Sequence, residues 1–122
     1  MIELIPDLPD NVLGFRGRGI ITGQDYETVV YPAVDAYFSQ HHSEGARVLY
    51  WLNEDFEGYE AAALWDDAML GFKHPIGWKK IAVVSDTDWI KKISLMVEHV
   101  MLGHFRLFPT QAMDAAKHWV SE

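Results

Sequence analysis

The stretch Ile81-Ala-Val-Val-Ser85 constrains the fold of this chain more than any other. Four apolar residues run in succession, three of them β-branched, with no polar alternation, which is the pattern of a strand buried on both faces of a parallel sheet. Asp86 and Thr87 follow as candidate N-caps, and an amphipathic helix then extends to about Leu102. At 100° per residue, Trp89, Ile90, Ile93, Met96, Val97, Val100 and Met101 share one wide apolar face, opposite Lys91, Lys92, Glu98 and His99. A doubly buried strand that feeds such a helix is half of a βαβ unit.

The rest of the chain repeats the alternation. Ile2–Ile5 reads as a short strand, Pro6 to Asn11 as a turn, and Val12 to about Ile21 as a second strand. Leu13, Phe15, Gly17, Gly19 and Ile21 fall on one side of it, Arg16 and Arg18 on the other. Thr22-Gly23 starts a helix to about Gln40, and Pro32 inside it should bend or split it. Arg47–Leu52 is a third strand, with a helix expected from about Tyr59 to Phe72. Phe105–Phe108 is the last strand, and Pro109-Thr110 opens a terminal helix through Trp119. The order ββαβαβαβα implies an α/β fold, with a mostly parallel mixed sheet, an N-terminal antiparallel hairpin and about four helices. At 122 residues, with no linker or repeat, residues 1–122 are expected to form a single domain.

Charge narrows the function. Ten basic against 18 acidic side chains leave a net charge of −8, which argues against a nucleic-acid binder, because phosphate contacts supply most of that affinity. The imbalance is local: residues 1–72 carry 3 basic and 13 acidic groups, while residues 73–92 carry five lysines against Asp86 and Asp88. With no cysteine, neither disulfides nor thiolate chemistry are available. The N-terminal Met-Ile-Glu-Leu-Ile-Pro-Asp lacks a basic region and a long apolar run, so no signal peptide is expected, and no stretch approaches the ~20 apolar residues of a membrane span. A cytoplasmic protein is the expectation.

Reactive constellations are sparse. Gly17-x-Gly19-x-x-x-Gly23 resembles a dinucleotide loop only superficially, since the spacing is off by one and the glycines fall within a strand; close approach of helix and sheet explains them better. His41-His42 with Glu44, and His99 with His104, lack metal-ligand spacing, and Gly-x-Ser-x-Gly is absent. Glu54, Asp55, Glu57 and Glu60 crowd a single segment rather than converging from several strand ends, so capping of the next helix accounts for them better than metal binding or catalysis. Leu95 lies among the polar residues of its helix. With Lys73, Trp78, Lys79, Lys80, Lys91 and Lys92 it would suit contact with an anionic membrane surface.

Leu49–Asn53 leading into Phe56-Glu57-Gly58, Trp65-Asp66-Asp67, Lys73-His74, Ile81–Asp86 followed by Trp89, and Ala115–Trp119 together resemble the SpoIIAA-like proteins, bacterial domains with the STAS fold of anti-sigma-factor antagonists. In the antagonists proper, the turn after the third strand carries a phosphorylatable serine that governs partner binding. The matching turn here, Asn53-Glu54-Asp55-Phe56-Glu57-Gly58, has no Ser or Thr, so a phosphate cannot be attached there. The architecture is also similar to that of CRAL-TRIO lipid-binding domains, where helices part from the sheet to admit an apolar ligand. By that likeness Trp65, Met69, Phe72, Trp89, Ile93 and Met96 would line an equivalent space.

These readings converge on a non-catalytic binding domain without a cofactor or metal. The first expectation is a small apolar or lipid-like ligand between the second and third helices and the sheet, with peripheral association at the inner face of the membrane. The second is a protein-interaction module using the partner loop 53–58 and its following helix. An enzyme ranks third.

Overall fold

Val12–Ile21 forms the ten-residue strand β2, and the chain before it folds back as β1 (Ile2–Leu4) in antiparallel register, with Ile2 opposite Gly17 and Leu4 opposite Phe15. The computed structural model describes residues 1–40, 45–60, 78–101 and 104–122, the side chains of 53–55, 89, 93, 96, 97, 100 and 101 excepted. After β2 come α1 (Gly23–Asp25), a π-helical turn (Tyr26–Val30) and α2 (Tyr31–Gln40). Then follow β3 (Ala46–Tyr59), β4 (Trp78–Val84), α3 (Asp88–Met101), β5 (Phe105–Phe108), a 3-10 turn (Thr110–Ala112) and α4 (Met113–Ser121). The strands make one sheet in the order β1-β2-β3-β4-β5, and β2 to β5 are mutually parallel. This is the mixed α/β sheet that the alternation of elements implied. The helix expected over 59–72 lies outside the described residues apart from its first two positions, of which Tyr59 is still strand.

Strand order that follows chain order, with right-handed connections, puts the connecting helices on one face and leaves the other to the chain after β5. The two apolar clusters divide in this way. Phe15, Val48, Leu52 and Phe56 of the sheet pack with Tyr26, Val34 and Ile90 from the helices between strands. Val12, Leu49, Ala82, Val84 and Phe108 pack with Ala116 and Val120 of α4. Leu49 and Val48 thus serve opposite cores, as the two-residue period of a strand requires.

The first helical segment breaks where Pro32 dictates. Thr22 and Asp25 form a reciprocal capping box: the Asp25 amide donates to Thr22 Oγ1 at 3.2 Å and the Thr22 amide to Asp25 Oδ2 at 2.8 Å. Regular α-helix would then aim the Pro32 ring at the Thr28 carbonyl with no N–H to bond it. The backbone widens instead, and Tyr31 donates to the Tyr26 carbonyl five residues back.

Helix α4 has only nine residues, and its C-terminal carbonyls find partners in the sheet. Arg47, 7% exposed, donates from Nη1 to the Val120 carbonyl at 2.8 Å. Lys80 Nζ donates to the Trp119 carbonyl at 2.9 Å and lies 4.9 Å over the Trp119 ring. Two cations therefore sit where the helix dipole favours them. At the other end the Thr110 amide donates to Asp86 Oδ1 at 3.0 Å. Asp86, a candidate cap of α3, is thus spent on the approach to α4, while the Thr87 carbonyl accepts the Lys91 amide that opens α3. The open edge of β5 is also closed: Leu107, whose amide points away from β4, donates to Glu98 Oε1 at 3.0 Å.

Replacing Arg47 by Met leaves the Val120 carbonyl buried without a donor. The expected cost is about 2 kcal/mol in urea unfolding, accompanied by loss of amide protection confined to α4. A variant as stable as wild type would show that this contact does not hold the helix.

Candidate functional site

The acidic segment after Leu52 is where structure and expectation part. The sequence suggested a strand ending at Leu52 and a turn over 53–58. In the structure β3 continues to Tyr59, in irregular register with β2. Gly17 faces Leu52 and Gly19 faces Phe56, so Arg18 alone stands opposite Asn53, Glu54 and Asp55. Ile20 then faces Gly58, which leaves Glu57 without a counterpart as well. Four residues of β3, three of them carboxylates, fall outside the paired ladder, a surplus of three over β2, and form a bulge at the C-terminal end of the sheet.

Hydrophobic anchoring explains why the strand does not simply stop. Phe56 is buried in the helix-side core, its ring edge-on to Tyr59 with centroids 5.4 Å apart. Burying that pair draws the chain back onto β2 once the acidic residues have looped out. The backbone needed for the detour falls on glycine: Gly19 has φ +57° and Gly58 φ +143°, values that side-chain-bearing residues rarely adopt. This corrects the reading of Gly17 and Gly19 as seats for a helix. A Cβ at Gly17 would lie 2.7 Å from Ile21 Cδ1 and 2.8 Å from Leu52 Cδ2, which are sheet residues, and one at Gly19 would meet nothing within 4 Å.

The bulge is fixed to the start of α1. The Glu60 amide donates to the Ile21 carbonyl at 2.8 Å, and Glu60 Oε1 accepts the Gly23 amide at 3.2 Å. This carboxylate caps α1, while the helix expected to follow it in sequence lies outside the described residues. Met1 joins the same junction: its ammonium lies 3.2 Å from Asp25 Oδ2 and donates to the Arg18 and Ile20 carbonyls at 2.8 and 3.0 Å. No spacing rule links residues 1, 25 and 60; the sheet brings them together.

The sequence-derived surface and pocket residues divide by location. Trp65, Met69, Phe72 and Lys73 lie outside the described residues; Trp89, Ile93 and Met96 are on α3, with their side chains outside them. Trp78 is half-buried, edge-on to Phe38 at 5.7 Å. Lys80 is engaged with α4. Lys79 is exposed at the start of β4, where its carbonyl meets His104 Nδ1 at 2.9 Å, whereas Lys91 and Lys92 occupy the start of α3, at the opposite end of the sheet. Lys91, Lys92 and Leu95, which is 65% exposed, remain together on neighbouring turns. Among the described residues no three His, Asp or Glu are grouped to hold a metal ion, and no helix is long and apolar enough to cross a membrane.

Burial alone would raise the pKa of Asp25, but hydrogen bonds from the Thr22 amide, the Met1 ammonium and the Thr22 hydroxyl outweigh it and hold the carboxyl below its ordinary value. A depressed carboxyl contributes stability above the unfolded-state pKa and loses it as pH falls through the folded one. Asp25→Asn is therefore expected to destabilise the protein by about 1 kcal/mol at pH 7, and the difference from wild type should shrink as pH falls below about 4. Denaturant unfolding at several pH values measures it; a gap that stays constant down to pH 2 would remove the ionised junction from the account.

Comparisons with known proteins agree with this geometry. No curated protein matches the chain. A crystal structure of an uncharacterised protein of the DUF3478 family with a SpoIIAA-like fold, from Shewanella loihica PV-4, superposes with a TM-score of 0.77 at 22% identity, over 98% of this chain and 92% of that one. At that identity the likeness speaks for the fold. The SpoIIAA-like family model matches residues 12–121, from the first residue of β2 to the last of α4, and the chain belongs to the SpoIIAA-like family.

Proposed function

We propose that this chain is a non-catalytic interaction module that engages a protein partner through the bulged end of β3. The observation that carries the reading is the register shift. It takes Asn53, Glu54, Asp55 and Glu57 out of the ladder while Leu52 pairs before them and Phe56 and Tyr59 anchor the return, so the acidic segment is a protrusion braced at both ends. In open α/β sheets, the ends of the parallel strands are the usual place for a binding surface. No Ser or Thr lies between Leu52 and Glu60, so contact here does not depend on serine or threonine phosphorylation of the segment. A partner with a basic patch would complement it.

A second reading has its own observation, the exposed Leu95 flanked by Lys91 and Lys92 on α3. One apolar side chain with two adjacent cations suits a weak contact with an anionic membrane. On this reading an apolar or lipid-like ligand lies between α3, the helix expected from the sequence over 59–72 and the sheet.

One set of variants separates the two. A photo-crosslinking residue at Glu57 is expected to give a discrete adduct in cells that one at Asp114 on α4 does not give, and Asp55→Lys should abolish it. Flotation with phosphatidylserine vesicles should be insensitive to Asp55→Lys but weakened by Lys91→Glu with Lys92→Glu. No adduct at position 57 with charge-sensitive flotation would transfer the function to the membrane reading. Neither signal would overturn both.

A further inference from the structure

The sheet face that carries α4 holds a second feature, unrelated to the bulge. One row of residues crosses all five strands in register: Glu3, Arg16, Trp51, Val84 and Phe108. Aligned residues of neighbouring strands share a face. Helix α4 covers the Val84 and Phe108 end of the row, where Ala116 and Val120 join their cluster, and it packs on β3, β4 and β5. Trp51 lies at the rim of that cluster, and Arg16 beyond it on β2.

The rim is chemically unfinished. The Arg16 guanidinium carbon sits 4.4 Å from the Trp51 ring centroid, so one face of the cation is stacked. Arg16 makes no ion pair among the described residues, and its neighbour Glu3 is engaged by Arg18 Nη1 at 3.4 Å. Arg16 Nε and Trp51 Nε1 are both shielded from solvent with no hydrogen-bond acceptor among the described residues. Two shielded N–H donors without acceptors on adjacent strands are uncommon in native proteins, where such groups nearly always find a partner. Stacking uses the face of a guanidinium and leaves its in-plane N–H groups for hydrogen bonding, the arrangement that suits a two-oxygen anion. Local charge agrees: Arg16 and Arg18 against Glu3 give +2 − 1 = +1, in a chain whose net charge is −8.

We propose that Arg16 and Trp51 form an oxyanion site, taking a carboxylate or phosphate group of a ligand that lies on the sheet beside α4. The anion accepts from the guanidinium edge, and closing onto it gives the Arg16 Nε–H and the indole N–H the acceptors they lack. The stacked pair positions the cation, and the Arg18–Glu3 pair keeps the neighbouring carboxylate from neutralising it.

The test uses the full chain labelled with nitrogen-15, and follows the Arg16 Nε–H and Trp51 indole resonances. Sodium phosphate, sodium acetate and sodium chloride are titrated at matched ionic strength. Saturable movement of both resonances with phosphate or acetate, and none with chloride, is the expected result; whichever anion acts identifies the headgroup class. Arg16→Gln should abolish the Trp51 response, while Arg16→Lys, which keeps the charge without the planar fork, should weaken it several-fold. The Trp119 indole, on α4 against Phe108, reports that each variant is folded. Responses no larger than those to chloride, or a Trp51 response that survives Arg16→Gln, would overturn the site.

Discussion

The parallel pairing of β2 with β3 is the constraint on which the rest of the molecule depends. From Val12 against Arg47 to Gly17 against Leu52 the two strands run in uninterrupted register. Every second residue of that ladder commits to one core: Phe15, Val48 and Leu52 to the helices between strands, Val12 and Leu49 to α4. A slip of one residue would exchange these sets and place Arg47 under the wrong helices. It would also remove the donor that Arg47 gives to the Val120 carbonyl, on which the end of a short helix relies. Register therefore couples both cores to the attachment of α4.

That ladder was largely legible beforehand because its signal is local. The apolar run 81–85, the alternation in β2 and the helical periodicity of 88–101 each reflect burial, and burial leaves its mark on neighbouring residues. The interruption near Pro32 was legible for the same reason, since a missing N–H acts within one turn. What was not legible is non-local. Nothing around Glu60 says that its carboxylate accepts the Gly23 amide, nor around Lys80 that its ammonium caps α4. A lysine count over 73–92 reads as one basic surface, yet the crossover through α3 sends Lys79 and Lys91 to opposite ends of the sheet. The bulge lay between these extremes. Phe56 and Tyr59 were strand-like residues beyond the carboxylates, and Gly58 beside them marked a place where the backbone could turn.

The same bulge links the fold to the proposed function. A strand that ended at Leu52 would release the acidic residues as a tether, costly to order on binding. A strand that detours and returns presents them on two fixed ends, with Glu60 tying the return to α1 and Asp25 and Thr22 holding that helix in place. Under the proposed function, preorganisation of this kind would let a small domain meet a partner without first ordering a loop. The local departure from ideal pairing, tolerated because glycine occupies positions 19 and 58, is the feature on which the proposed function rests.

Amide hydrogen exchange across residues 52–60 tests this most directly. The returning strand requires slow exchange at Glu60, whose amide is bonded to the Ile21 carbonyl, together with fast exchange at the bulged residues 53–55. Fast exchange throughout 53–60 would mean that the segment is a free loop, and would contradict the braced protrusion on which the functional account rests.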